Sequence, residues 1–280
     1  MPADPPPDDI AEQIEQVNEA TRRLLAGLDG LTEADAARRS LCPGWTVGHV
    51  LTHIARNADG LRRGAEGARR GEAVPMYASA EARDHEIEAG AGRPMPDLVA
   101  DVTSSAAALS DAWSAMSTAD WDREMLHHRY GTLLLNNTPM MRLSEVEIHH
   151  VDLGDRFRPD GWPDSFVGHI LSGADRLSER LPDGLALQVH ATDSGERWNA
   201  GPGSGGAPPA GASSADSGTR ADSGTRADSR TGGDSGTGPR RIAVAGPSWA
   251  IAAWLVGRPG PVADALSVTG GDLPPLKPWP

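Results

Sequence analysis

Four stretches before Asp155 carry apolar side chains at the period of an α-helix, and that periodicity restricts the N-terminal half to helix packed on helix. Ile10, Ile14, Val17, Leu24, Leu25 and Leu28 predict an amphipathic helix over roughly Pro7 to Gly30, ended by glycine. "CPGWTVGHVLTHIARNADGLRRG" opens with a Pro-Gly turn, and Thr46 can cap a helix running to about Gly64. "PDLVADVTSSAAALSDAWSAM" is a third helix with Pro96 in its first turn, and Thr138 to about Asp155 is a fourth, with Pro139 at its start. Joined by irregular segments, these four read as a bundle.

The pattern then changes. "RPDGWPD" breaks the chain before a helix around Ser165 to Leu181. "LALQVHA" alternates like a strand, and "RWNAG" can pair with it across the "TDSGE" turn. "RRIAVAG" is another strand, "SWAIAAWLVG" an apolar helix and "ALSVTGG" a final strand, so the second half reads as a small α+β domain. The expected division is a helical bundle over 1–158 and an α+β domain over 159–280. Residues 201 to about 240 interrupt the latter with Gly, Ser, Ala, Asp, Thr, Pro and Arg, including "ADSGTR" at Ala215 and again at Ala221. Such a segment buries too little apolar area to offset its ordering entropy, and a disordered surface loop is expected.

A formal charge of −13 over 280 residues disfavours nucleic acid and anionic membrane surfaces as partners and leaves a small molecule as the expected one. Cys42 is the only cysteine, so any metal must be held by histidine and carboxylate. No run of 18 apolar residues and no signal-like N-terminus is present, which predicts a cytoplasmic, non-membrane protein, taken as a monomer.

The chemistry concentrates in "LSEVEIHHVDLG", Leu143 to Gly154. At about 100° per residue, Glu145, His149 and Asp152 fall within an arc of roughly 60° that lies inside the apolar face. Glu147 and His150 point the opposite way and are expected in solvent. Charged groups directed into a bundle cost several kcal/mol unless paired or metal-bound. Glu145 and His149, one turn apart, can reach one cation. From the second helix, His53 borders the buried face more directly than His49 and is the expected third ligand. Asn57 is placed to support His53, and Asp152 to support His149. Two His and one Glu suit zinc or a similar divalent ion with an open position. The alternative is that both histidines are satisfied within the bundle and Glu145 pairs with Arg142. Cys42 reads as a small turn residue, His85, His127 and His128 as surface groups, and the eight tryptophans as core and seam fillers.

"GWTVGHVLTHIARNADGL", "VPMYASAEARDHEIEAGAG", "LSEVEIHHVDLG" and "WLVGRPG…LSVTGGDLPPLKPW" together resemble the mycothiol-dependent maleylpyruvate isomerases. The likeness runs from about Ile10 to the C-terminus, excluding the repeat loop. The metal motifs are shared with a broader set of DinB-like bundles and thiol-dependent transferases, whereas "PMYASAEARDHEI" is closer to the isomerase. The resemblance implies an N-terminal DinB-like four-helix bundle and a sterol-carrier-like C-terminal domain, with the active site between them. It implies zinc ligands at His53, Glu145 and His149, an essential arginine at Arg258, and Arg83 as a second substrate ligand. It also implies mycothiol as thiol cosubstrate and cis–trans isomerisation of maleylpyruvate to fumarylpyruvate in gentisate breakdown. The alternatives are a mycothiol S-transferase acting on electrophiles and a non-catalytic metal-binding module.

Overall fold

The structure, a computed structural model, describes residues 6–127, 129, 131–154, 157–202 and 239–277. The chain divides into two compact units, Met1–Phe166 and Val167–Pro280. The first is helix-rich and the second is built on a small sheet. No helix among the described residues is long and apolar enough to cross a membrane.

The first unit contains α1 (Asp8–Gly27), α2 (Glu33–Ala37), α3 (Val47–Arg69), α4 (Ala80–Ala91), α5 (Met95–Ser114) and α6 (Thr138–Asp152). A hairpin of β1 (Glu124–His127) and β2 (Gly131–Leu134) precedes α6. The long helices α1, α3, α5 and α6 are the four marked by apolar periodicity. Helix α3 starts where Thr46 Oγ1 accepts from His49 N at 3.4 Å, while Thr46 N donates back to His49 Nδ1 at 3.2 Å. This is a capping box in which a histidine replaces the usual acid.

Helix α3 packs on α5, α4 and α6, and α6 also packs on α1. Glycines along α3, Gly48 and Gly60 among them, let neighbours approach it closely. A Cβ at Gly48 would lie 2.1 Å from Ala91 O at the end of α4, and one at Gly60 would lie 2.5 Å from Met76 Cγ. The segment carrying Met76, Tyr77 and α4 therefore lies directly on the helix that carries His53.

Helix α4 and the hairpin were expected as irregular connections. In "AEARDHEIEAGA" only Ile87 and Ala91 are buried, so α4 has no apolar stripe to reveal it. Ser79 nevertheless caps it, its Oγ accepting from Ala82 N at 3.1 Å.

The second unit's sheet has the order β4-β3-β5-β6, with β3 (Leu185–Ala191), β4 (Arg197–Ala200), β5 (Arg240–Gly246) and β6 (Ser267–Thr269). β3 and β5 are parallel, and the two outer pairings are antiparallel. Leu185, Leu187, Val189 and Ala191 alternate into the core from β3, as a half-buried strand requires. The apolar helix α9 (Ser248–Leu255) follows β5, and the Asp193 carboxylate accepts from Ser248 N at 3.0 Å and from its hydroxyl at 2.7 Å. The single helix expected over Ser165 to Leu181 is instead α7 (Asp164–Ser172) and α8 (Leu177–Arg180), separated by a 3-10 turn over Gly173–Arg176. Glycine at the start of that turn weakens a continuous helix there. The expected disordered loop lies almost wholly outside the described residues.

Candidate metal centre and active site

Two helices from distant parts of the chain bring three donors together. His53, on α3, is 4 % exposed, and its Nε2 lies 2.9 Å from Glu145 Oε2. His149, one turn beyond Glu145 on α6, places its own Nε2 3.1 Å from the same oxygen. The two imidazoles meet edge-on, with centroids 4.7 Å apart and planes at 88°. One donor atom from each of His53, Glu145 and His149 lies within 4.8 Å of the other two.

These distances suit one small divalent ion. Imidazole nitrogen and carboxylate oxygen bind zinc at about 2.0–2.2 Å, which sets donor atoms roughly 3.3 Å apart in a tetrahedral shell. The opposite face of His149 is held as a metal ligand requires, with Nδ1 2.8 Å from Asp152 Oδ2 on a fully buried carboxylate.

The electrostatics follow from burial set against this contact. For Glu145, burial opposes the charge, but His53 and the hydrogen bonds from both imidazoles outweigh it and hold the carboxyl well below its ordinary range. Burial pushes His53 down to about 4, against the attraction of Glu145. Burial also opposes the proton on His149, yet hydrogen bonds to Asp152, Cys42 and Glu145 raise it well above an ordinary histidine.

Other residues around the donors have different places from those expected. Asn57 makes no hydrogen bond to His53 among the described residues; its Oδ1 accepts from Arg142 Nη1 at 2.8 Å. The amide sits one turn beyond His53, toward α6, where the buried guanidinium is the nearer donor. The group at His53 Nδ1 is Arg83 Nη2, 3.3 Å away, and Arg83 also pairs with Asp84 at 2.7 Å. Arg142 makes no ion pair with Glu145 among the described residues: its Nη1 donates to Ile54 O and Asn57 Oδ1, and Glu145 favours its charge only from further away. His49 is engaged with Thr46 and with Glu88, 3.1 Å away. Arg258 belongs to the second unit, where its Nη1 donates to Val256 O at 2.9 Å.

Glu147 and His150 are not in solvent. They are 1 % and 4 % exposed. Glu147 is paired with Arg23 of α1, and His150 stacks on Phe157 with centroids 3.8 Å apart. The reason is that α6 lies between α1 and α3 and is covered on both sides. His127 is buried too, its Nδ1 accepting from Arg129 N at 3.1 Å. His85 is exposed, and His128 lies outside the described residues.

Three residues gain a place at the site. Trp45 packs against His53, His149 and His49, with centroids 5.4, 6.5 and 6.3 Å away, and the Arg83 guanidinium lies 5.9 Å over its ring. Buried Tyr77 has its hydroxyl pKa raised by burial and by Glu145. Cys42 Sγ donates to Asp152 Oδ2 at 3.1 Å and lies 3.8 Å from His149 Nδ1. The motif "CPGW" carries two of these three, but nothing in its spacing says that it folds back onto the end of α6.

Residues 17–154 match the family described as the mycothiol maleylpyruvate isomerase N-terminal domain. Two crystal structures are similar over nearly the whole chain: the mycothiol-dependent maleylpyruvate isomerase and a histidine-to-alanine mutant of it. Each is 25 % identical with a TM-score of 0.76, covering 96 % of this chain and 97 % of that chain. Residues 17–154 belong to the mycothiol maleylpyruvate isomerase N-terminal domain family. No curated protein gives a significant match. The matched family domain contains α3 and α6, and with them His53, Glu145, His149, Cys42, Trp45, Tyr77 and Arg83; Arg258 lies beyond it.

Proposed function

We propose that this chain isomerises maleylpyruvate to fumarylpyruvate by reversible addition of the mycothiol sulfur. The observation that carries the reading is the meeting of His53 Nε2, His149 Nε2 and Glu145 Oε2 at one point. Zinc or a similar divalent ion held there would keep a thiol deprotonated at neutral pH, where a free thiol of pKa about 8.5 is only a few per cent thiolate.

The reaction needs the order of a cis double bond lowered for a moment. Sulfur adds to one alkene carbon, the π pair moves into the neighbouring dicarbonyl as an enolate, the single bond rotates, and the carbon–sulfur bond breaks to return the thiolate. No atom is gained or lost. The protein's task is to place the alkene over the sulfur and to accommodate the enolate charge.

Arginines suit that task because a guanidinium fork binds a carboxylate through two parallel hydrogen bonds. Arg83 stands beside His53 and is assigned this role together with Arg258. A guanidinium only donates, so His53 Nδ1 must meet Arg83 as a lone pair, with the ring proton on Nε2 facing Glu145. Holding an ion through Nε2 needs that proton on Nδ1, so Arg83 must release His53, which frees it for a substrate carboxylate. Trp45 provides an apolar wall that limits water around the donors.

The test follows the absorbance of maleylpyruvate in the presence and absence of mycothiol, before and after chelation, and in His53→Ala. Conversion that requires mycothiol, stops on chelation, returns with zinc and is lost in His53→Ala is the expected result. Conversion indifferent to chelator or thiol, or accumulation of a stable thiol adduct in place of fumarylpyruvate, would overturn the reading.

A further inference from the structure

We propose that Arg142 is a strut between α3 and α6 which positions His53 relative to Glu145; this rests on the reading of His53, Glu145 and His149 as a metal site. Arg142 is 1 % exposed, and its Nη1 donates to Ile54 O and to Asn57 Oδ1, both at 2.8 Å. Ile54 immediately follows His53, Asn57 lies one turn further along α3, and Arg142 lies one turn before Glu145 on α6. The guanidinium therefore joins the two helices at the level of the two donors. A mid-helix carbonyl has a second lone pair, so Ile54 O can take this bond without giving up its helical one.

The cost of the arrangement argues for positioning over bulk stability. Burial lowers the Arg142 pKa to about 10 against the attraction of Glu145, Tyr77 and Asp59, so the group stays charged at neutral pH. Its two acceptors are neutral, and its Nη2 has no hydrogen-bond partner among the described residues. A buried cation in that setting is a poor adhesive, since apolar residues of similar volume pack two helices at least as well. What a guanidinium adds is direction: two bonds from one nitrogen to points on neighbouring turns resist both sliding and rotation of α3 on α6. Ion coordination depends on that, because ligand distances tolerate only about 0.2 Å of error.

The experiment uses the full chain, with zinc affinity measured by competition with a chromophoric chelator and coordination read from the visible spectrum of the cobalt(II) form. Asn57→Ala removes an acceptor and keeps the cation; Arg142→Lys keeps the cation on a shorter side chain with no rigid plane to aim its donors at both acceptors. Both are expected to keep their circular dichroism, to bind zinc about tenfold more weakly or worse, and to shift the cobalt(II) band. A residue serving only stability would lower the unfolding midpoint and leave that band unchanged. If Asn57→Ala does not fold, Arg142→Lys and the milder Asn57→Ser carry the same comparison. Folded variants that bind zinc within twofold of wild type with an unaltered spectrum would overturn the strut and leave the metal site standing. A wild-type chain that binds no zinc would defeat the metal reading, and the strut with it.

Discussion

Cys42 is the residue where sequence and structure most need each other. Its Sγ is 3.8 Å from His149 Nδ1, whereas Glu145 meets the same ring at Nε2. The two nitrogens point in different directions, so the chain's own thiol sits behind His149, off the side where the donors converge. Its role there is to donate to Asp152, which orients His149. Cys42→Ser keeps a hydroxyl for that bond and removes the sulfur, so mycothiol-dependent turnover is expected to stay within about threefold of wild type, in line with one neutral hydrogen bond. Complete loss of steady-state turnover in a folded Cys42→Ser chain would make Cys42 the nucleophile instead. Helical arithmetic along one segment puts Glu145, His149 and Asp152 on one face, and the structure has them there. It has no purchase on Asn57 or Arg83, because what each side chain meets depends on another helix arriving, and linear spacing does not encode that arrival.

At the scale of the element, α6 shows how periodicity misleads when a helix is covered on two sides. Its charged residues at Glu147 and His150 look like a solvent face, and the partner that makes Glu147 tolerable in the interior is Arg23, far away on α1. Burial keeps His150 neutral by lowering its pKa from 6.5 to about 4, with Arg23 adding to the effect. The unfolded chain therefore takes up a proton between about pH 6.5 and 4 that the folded chain refuses, so stability is present above 6.5 and is lost as pH falls through that window. At about 1.4 kcal/mol per pH unit, His150 accounts for roughly 3 kcal/mol of acid sensitivity. Glu147 works the other way. Burial, only partly offset by Arg23, raises its pKa from 4.5 to about 6, so acidification through that narrower range favours the fold by roughly 2 kcal/mol. His150 has the wider window and should dominate. Urea midpoints of the chelated protein should fall from pH 7 to 4, and those of His150→Gln should fall clearly less. Parallel curves for the two chains would contradict the assignment.

On the scale of the whole molecule, the strands and α9 of the second unit were legible because their side chains alternate or stay apolar over their full length, whereas α4 and the hairpin had no such signature. The repeat-bearing segment raises the one architectural question that the sequence poses and the sheet can answer. Ala200, near the end of β4, pairs with Leu187, and Arg240, at the start of β5, pairs with Leu185. Both ends therefore lie at the same end of β3, on opposite sides of it. Neighbouring strands are about 4.8 Å apart, so a chain leaving β4 need cross only about 10 Å beneath β3 to enter β5. At about 3.3 Å per extended residue, about three residues span that distance, and eight leave slack for turning at each strand end. Among the described residues, the register of β3 with β5 and of β5 with β6 is complete without any partner from 203–238. Replacing 203–238 by an eight-residue Gly/Ser linker is thus expected to leave the helix and strand signals in the far-ultraviolet circular dichroism unchanged. Its melting temperature should stay the same or rise slightly, because closing a shorter loop costs less entropy by up to about 1 kcal/mol. The KM for maleylpyruvate should also hold, if Arg258 acts from a second unit that folds as it does here. A shortened chain that melts many degrees lower would show that the repeat contributes packing of its own; one that melts normally but binds substrate poorly would place its contribution at the substrate instead.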